Sequence, residues 1–175
     1  MSDITAEDIF AQMMSGDIVS RDDSREAILI HDDELPYVAL PDGSEVQLLQ
    51  VDLNQNLWIV RARFKPGFAI DTHYHTGSVF AVTQSGEWFY KEYPDKVNRA
   101  GSYLYEPAHS LHTLTVADDA TEDAVVWFAV YGSNINLDDD NNVTGIVDAK
   151  GLLTLYRALC EVDGKNCDKV IVFGE

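Results

Sequence analysis

Hydrophobic and polar positions change their rhythm twice along this chain. Residues 1–36 are mostly polar, interrupted by TAEDIFAQMM and EAILI. The first reads as a short helix with Thr5 as N-cap and acidic residues in its first turn. The second reads as a strand between the solvated stretches VSRDDSRE and HDDELP. From residue 37, short runs rich in Val, Phe, Tyr, Trp and Thr follow one another: VQLLQVDL, LWIVRARF, SVFAVTQ, EWFYKEY, GSYLYEP, HTLTVA and AVVWFAVYG. Turn signals such as PDGS, KPG, QSG, NRAG and EPAHS separate them. Many short strands between frequent turns predict an all-β sandwich or barrel. No β–α alternation appears, which argues against a doubly wound sheet. NLDDDNN reads as a loop and VTGIVDA as the last strand. GLLTLYRALCEV then repeats apolar residues at Leu152, Leu155, Tyr156 and Leu159, a helical period, and is expected to lie against the barrel. The expected division is a peripheral arm over 1–36, a barrel over 37–150, and a C-terminal helix and tail over 151–175.

Composition narrows the partners. The 175 residues carry 30 acidic and 12 basic side chains, for a formal charge of −18. That argues against nucleic acid and anionic membrane surfaces as partners, since both are polyanions. The charge is uneven: −10 over residues 1–50, zero over 51–115 and −8 over 116–175. Hydrophobic residues make up 46 %, too many for a disordered acidic chain. The N-terminus lacks the basic and apolar regions of a signal peptide, and no stretch approaches the roughly 18–20 apolar residues of a membrane span. The two cysteines, Cys160 and Cys167, lack a zinc-knuckle spacing, so both read as ordinary thiols in a cytoplasmic protein.

The candidate chemistry lies in the neutral segment. Of five histidines, four fall there: His73, His75, His109 and His112. His73 and His75 form an H-x-H pair, and residues two apart on a strand share a face, so both imidazoles could reach one metal ion. The segment Glu106-Pro107-Ala108-His109-Ser110-Leu111-His112 brings one or two more histidines onto a neighbouring strand. His31 lies ahead of the barrel and is expected to be exposed. Trp88, Tyr90 and Glu92 alternate on one strand face, opposite Phe89, Lys91 and Tyr93. If the first set points inward, Tyr90 and Glu92 line a pocket; the competing reading is simple barrel filling. Arg61 and Arg63 share a face that is either solvated or set against a substrate carboxylate.

These residues carry a resemblance. Gly67, five residues, His73-Tyr74-His75, then Gly86 resembles the first motif of the cupin superfamily. Gly101, five residues, Pro107, then His112 resembles the second. HTGSVFAVTQSGEWFYKEY and AGSYLYEPAHSLHTL are most similar to the 2,4'-dihydroxyacetophenone dioxygenase family, three-histidine non-haem iron cupins. The chain departs from the common cupin pattern at Val79, where a ligand glutamate usually stands, at His109, usually Gly, and at Val116, usually Asn.

The resemblance implies a single jelly-roll cupin barrel with a short N-terminal segment and a C-terminal helix. It implies His73, His75 and His112 as ligands of one metal, with His109 as an alternative. Glu106, Tyr90 and Glu92 become candidates beside the metal or in the pocket. Three neutral imidazoles suit Fe(2+), and also zinc, nickel, copper or manganese. The implied partners are a small carbonyl substrate and dioxygen, in a homodimer or homotetramer. The implied reaction cleaves the carbon–carbon bond beside a carbonyl in a hydroxyketone or diketone. Two alternatives stand beside it: a non-catalytic zinc module of the anti-sigma kind, and a cupin isomerase using Glu106 and Tyr90 as an acid/base pair.

Overall fold

The structure, a computed structural model, describes residues 5–7, 10 and 26–175. Of the helix expected over TAEDIFAQMM, Ala6, Glu7 and Phe10 are helical, and residues 8, 9 and 11–14 lie outside the described residues. Strands β1 (Val38–Ala39), β2 (Glu45–Asp52), β3 (Leu57–Phe64), β4 (His73–His75), β5 (Val79–Ser85), β6 (Glu87–Tyr90) and β7 (Asn98–Arg99) come first. They are followed by β8 (Tyr103–Glu106), β9 (Leu111–His112), β10 (Leu114–Thr115), β11 (Ala124–Tyr131), β12 (Asn134–Leu137) and β13 (Val143–Val147). Helix α1 (Ala149–Val162) and strand β14 (Ile171–Phe173) complete the described chain.

The large sheet runs β1-β2-β3-β11-β5-β8, with β14 also on β2; smaller sheets run β10-β6-β7 and β13-β12-β4-β9. Alternation along β3 buries Val60, Ala62 and Phe64 and turns Arg61 and Arg63 outward. One core packs Phe64, Ala81, Val126 and their neighbours under Trp88, Tyr90 and Leu114 of the small β6 sheet and under Val116 just after it. The barrel thus closes over its own inner face, as the strand pattern predicts.

Three details depart from the sequence reading. EAILI forms no strand, and Ile28 and Leu29 are exposed. The edge of β2 that could have taken it is filled by β1 at one end and by β14 at the other. VTGIVDA is not the last strand, because β14 returns to pair parallel with β2. The stretch read as the loop NLDDDNN loses Asn136 and Leu137 to β12.

Helix α1 starts two residues earlier than its apolar period suggests, because the Asp148 side chain accepts a hydrogen bond from the Gly151 N–H and caps it. Its buried face is Ala149, Leu152, Leu153, Tyr156 and Cys160, while Leu155 is exposed. The helix packs against β1 and β2, so its rotation brings Leu153 inward rather than Leu155. It also holds the chain ahead of β1: the Tyr156 hydroxyl donates to the Pro36 carbonyl at 2.6 Å. Among the described residues no helix is long and apolar enough to cross a membrane.

Candidate metal centre

Strand β4 carries His73 and His75 on one face, and both are buried. Tyr74, between them, instead lies near exposed His109, with ring centroids 5.9 Å apart. β9 lies antiparallel to β4 and sets His112 directly opposite His73. One nitrogen from each of His73, His75 and His112 lies within 4.8 Å of the others. His109 is outside this group. It sits at φ 66°, in the left-handed region where the second motif usually has glycine.

The chain crosses between sheets at Thr113. His112 pairs with β4, and two residues later Leu114 pairs with Tyr90 of β6. Glu92 fixes that crossing: it accepts hydrogen bonds from the Thr113 N–H and hydroxyl, both at 2.9 Å. The Thr113 hydroxyl also meets that of Thr72 at 2.8 Å, linking the residues beside His112 and His73. Glu92 is therefore exposed at the rim and does not line the cavity, unlike Tyr90 on the same strand face. Arg61 is also turned away from the cavity, donating to Gln47 at 2.6 Å and to Asp32. Arg63 donates to Glu45 and lies over the Tyr37 ring. His31 is exposed in the arm.

Glu106 reaches the histidines from β8. Tyr90 donates to its Oε1. Its Oε2 approaches His112 Nε2 at 3.2 Å and His75 Nε2 at 3.5 Å. Burial pushes the Glu106 carboxyl up to about 7, partly offset by the Tyr90 hydrogen bond. Burial pushes His75 and His112 down to about 3, with His73 adding to the effect, and lowers His73 itself. The imidazoles are therefore neutral at pH 7, so their approach to Glu106 is not an ion pair.

This donor set fits a metal ion. The His73 Nδ1–H donates to the Asp71 carbonyl at 2.8 Å, which fixes the tautomer and frees Nε2. His112 Nε2 and Glu106 Oε2 are buried without a hydrogen-bond partner, as is Nδ1 of His75. An unpartnered buried nitrogen such as His112 Nε2 is costly in a bare protein and is what a metal would satisfy. A cavity of about 200 Å³ adjoins the site, walled by Val60, Ala62, Phe64, Phe128 and Val130. Its polar lining includes His73, His75, Tyr90, Glu106, Asn134 and Asn136. The amides of Asn134 and Asn136 are site residues that the sequence reading passes over. Their two-residue spacing carries the same strand signal as the H-x-H pair.

The chain belongs to the ChrR cupin-like domain family, whose model matches residues 25–132. None of the curated proteins matches it. Among solved structures it is similar to a cupin-fold protein of unknown function from Ralstonia eutropha, at 27 % identity and TM-score 0.81, covering 90 % of this chain and 97 % of that one. An RmlC-like cupin from the same organism is 27 % identical with TM-score 0.79, over 86 % of this chain and 97 % of that one. An acetylacetone dioxygenase from Acinetobacter johnsonii shares the fold at 18 % identity and TM-score 0.68, over 82 % of this chain and 99 % of that one.

Proposed function

We propose that this member of the ChrR cupin-like family is a non-haem iron dioxygenase that cleaves the carbon–carbon bond beside a carbonyl in a small hydroxyketone or diketone. The observation that carries the reading is the meeting of His73, His75 and His112 with the unpartnered Oε2 of Glu106 at the end of an apolar cavity. An iron(II) ion held by the three imidazoles would supply Lewis acidity and one-electron chemistry to a chelating ketone and dioxygen, its charge not cancelled by its neutral ligands.

The remaining work falls to the chain. The cavity is smaller than the roughly 300–1,000 Å³ sites of drug-sized ligands, so it selects a compact, mostly apolar molecule. Glu106 Oε2 is the proton acceptor. This free oxygen faces His75 and His112 beside the cavity, where it can take a proton from the carbon or hydroxyl next to the carbonyl. Tyr90 holds Oε1 and so aims Oε2. Phe64 and Phe128 are part of the apolar wall that keeps water from the cavity. For a hydroxyketone the overall change is balanced: ketone plus dioxygen gives two carboxylic acids, with one oxygen atom of dioxygen in each. Anaerobic iron loading followed by oxygen uptake on a panel of such ketones tests the reading, and no turnover with iron fully bound would refute it.

The family match favours a second reading, a metal-binding module without catalysis. Tightly held zinc in the protein as purified, with no oxygen uptake after iron replacement, is its signature.

A further inference from the structure

Strand β12 is the other neighbour of β4. Asn134 lies directly opposite His75, and Asn136 opposite His73. Directly opposed residues on antiparallel strands share a face, with Cβ atoms about 5 Å apart. Both amides line the cavity beside the histidines, although its wall is otherwise largely apolar. Asn134 is only 6 % exposed. Its Nδ2 donates to Asn136 Oδ1 at 2.5 Å, and its Oδ1 is buried without any partner. A buried amide oxygen left unsatisfied is costly, so one that lines a cavity is suited to a ligand's hydrogen-bond donor.

We propose that Asn134, braced by Asn136, is the specificity-determining residue of this cavity and hydrogen-bonds a hydroxyl carried next to the substrate carbonyl. The inference rests on the ketone-cleaving reading and narrows it to hydroxyketones. The matching group follows from the amide itself. Turning both amides over exchanges an orphan acceptor for an orphan donor. A hydroxyl both donates and accepts, so it satisfies either arrangement. The enolate of a diketone only accepts, and it leaves the Oδ1 arrangement unsatisfied.

The test is binding, read without turnover. Full-length protein is loaded with cobalt(II) under nitrogen, and its visible spectrum is titrated with 2-hydroxyacetophenone and, separately, acetylacetone. Both probes chelate, but only the first brings a hydroxyl. Asn134→Leu should weaken 2-hydroxyacetophenone roughly ten-fold and leave acetylacetone within about two-fold. Asn134→Ala, which adds no bulk, should show the same selective loss and serves where the leucine variant does not fold; one cobalt per chain marks a folded sample. Equal losses for both probes, or no loss for either, would overturn the role of Asn134 and leave the ketone reading standing. Wild-type protein whose spectrum neither probe changes would overturn both.

Discussion

Val79 on β5 faces Glu106 on β8, partner to partner in the strand register. Both are buried, at 1 % and 4 % exposure. Position 79 is where the common cupin pattern carries its ligand glutamate. In this chain a carboxylate reaches the same level of the barrel from the neighbouring strand, with one oxygen held by Tyr90 and the other free. Replacing Glu106 by Gln keeps its shape and removes the base. We expect unchanged metal stoichiometry and a fall in kcat of about 100-fold or more, checked by elemental analysis and steady-state kinetics. Metal lost together with activity would make Glu106 a ligand instead.

Tyr90→Phe removes the donor to Glu106 Oε1. That hydrogen bond lowers the carboxyl, against the larger upward push of burial. Without it the Glu106 pKa rises. The acidic limb of the kcat/KM profile, where activity rises as the base ionises, should therefore shift to higher pH. An unmoved limb would remove Glu106 from the role of base.

Acid acts on the metal-free protein through the histidines. His75 and His112 sit at about 3, below their ordinary 6.5. The unfolded chain thus binds more protons than the folded one between about pH 6.5 and 3. Their contribution is complete above 6.5 and is lost as pH falls, at up to about 1.4 kcal/mol per pH unit for each. Glu106 works the other way: its folded value of about 7 exceeds the ordinary 4.5, so its contribution is complete below 4.5 and is lost as pH rises through 7. Urea midpoints of chelator-treated wild type should fall between pH 6.5 and 4.5, and those of Glu106→Gln should fall more steeply. Equal slopes would mean that Glu106 does not titrate in this window.

His109 occupies a left-handed position that costs an L side chain about 1 kcal/mol. His109→Gly should hold metal as well as wild type does and melt roughly 2–4 °C higher. Loss of metal in this variant, with His112→Ala still loaded, would reverse the ligand assignment.

The parts of this architecture that depend on short-range rhythm were legible in the sequence. The H-x-H pair needs only period two, and His112 follows from a motif of fixed spacing. The glycines of those motifs are legible for a physical reason. Gly86 lies at φ 68°, and an added Cβ would stand 2.5 Å from the Asp123 carbonyl oxygen. Contacts between distant strands were less accessible. Tyr90 and Glu106 belong to different sheets, and no local spacing encodes their hydrogen bond. Glu92 alternates in phase with Tyr90, but strand β6 ends at Tyr90, and Glu92 turns to hold Thr113. The exposure of Leu155 depends on which helix face meets β2, and that is a tertiary fact.

On the function proposed above, the three-histidine group directs dioxygen into a carbon–carbon bond beside a carbonyl. Oxygen-18 gas supplied to the iron-loaded protein with a hydroxyketone tests it most directly. Two carboxylic acid products are expected, each carrying one labelled oxygen atom. Intact ketone, or acids without label, from protein with one iron per chain would contradict it.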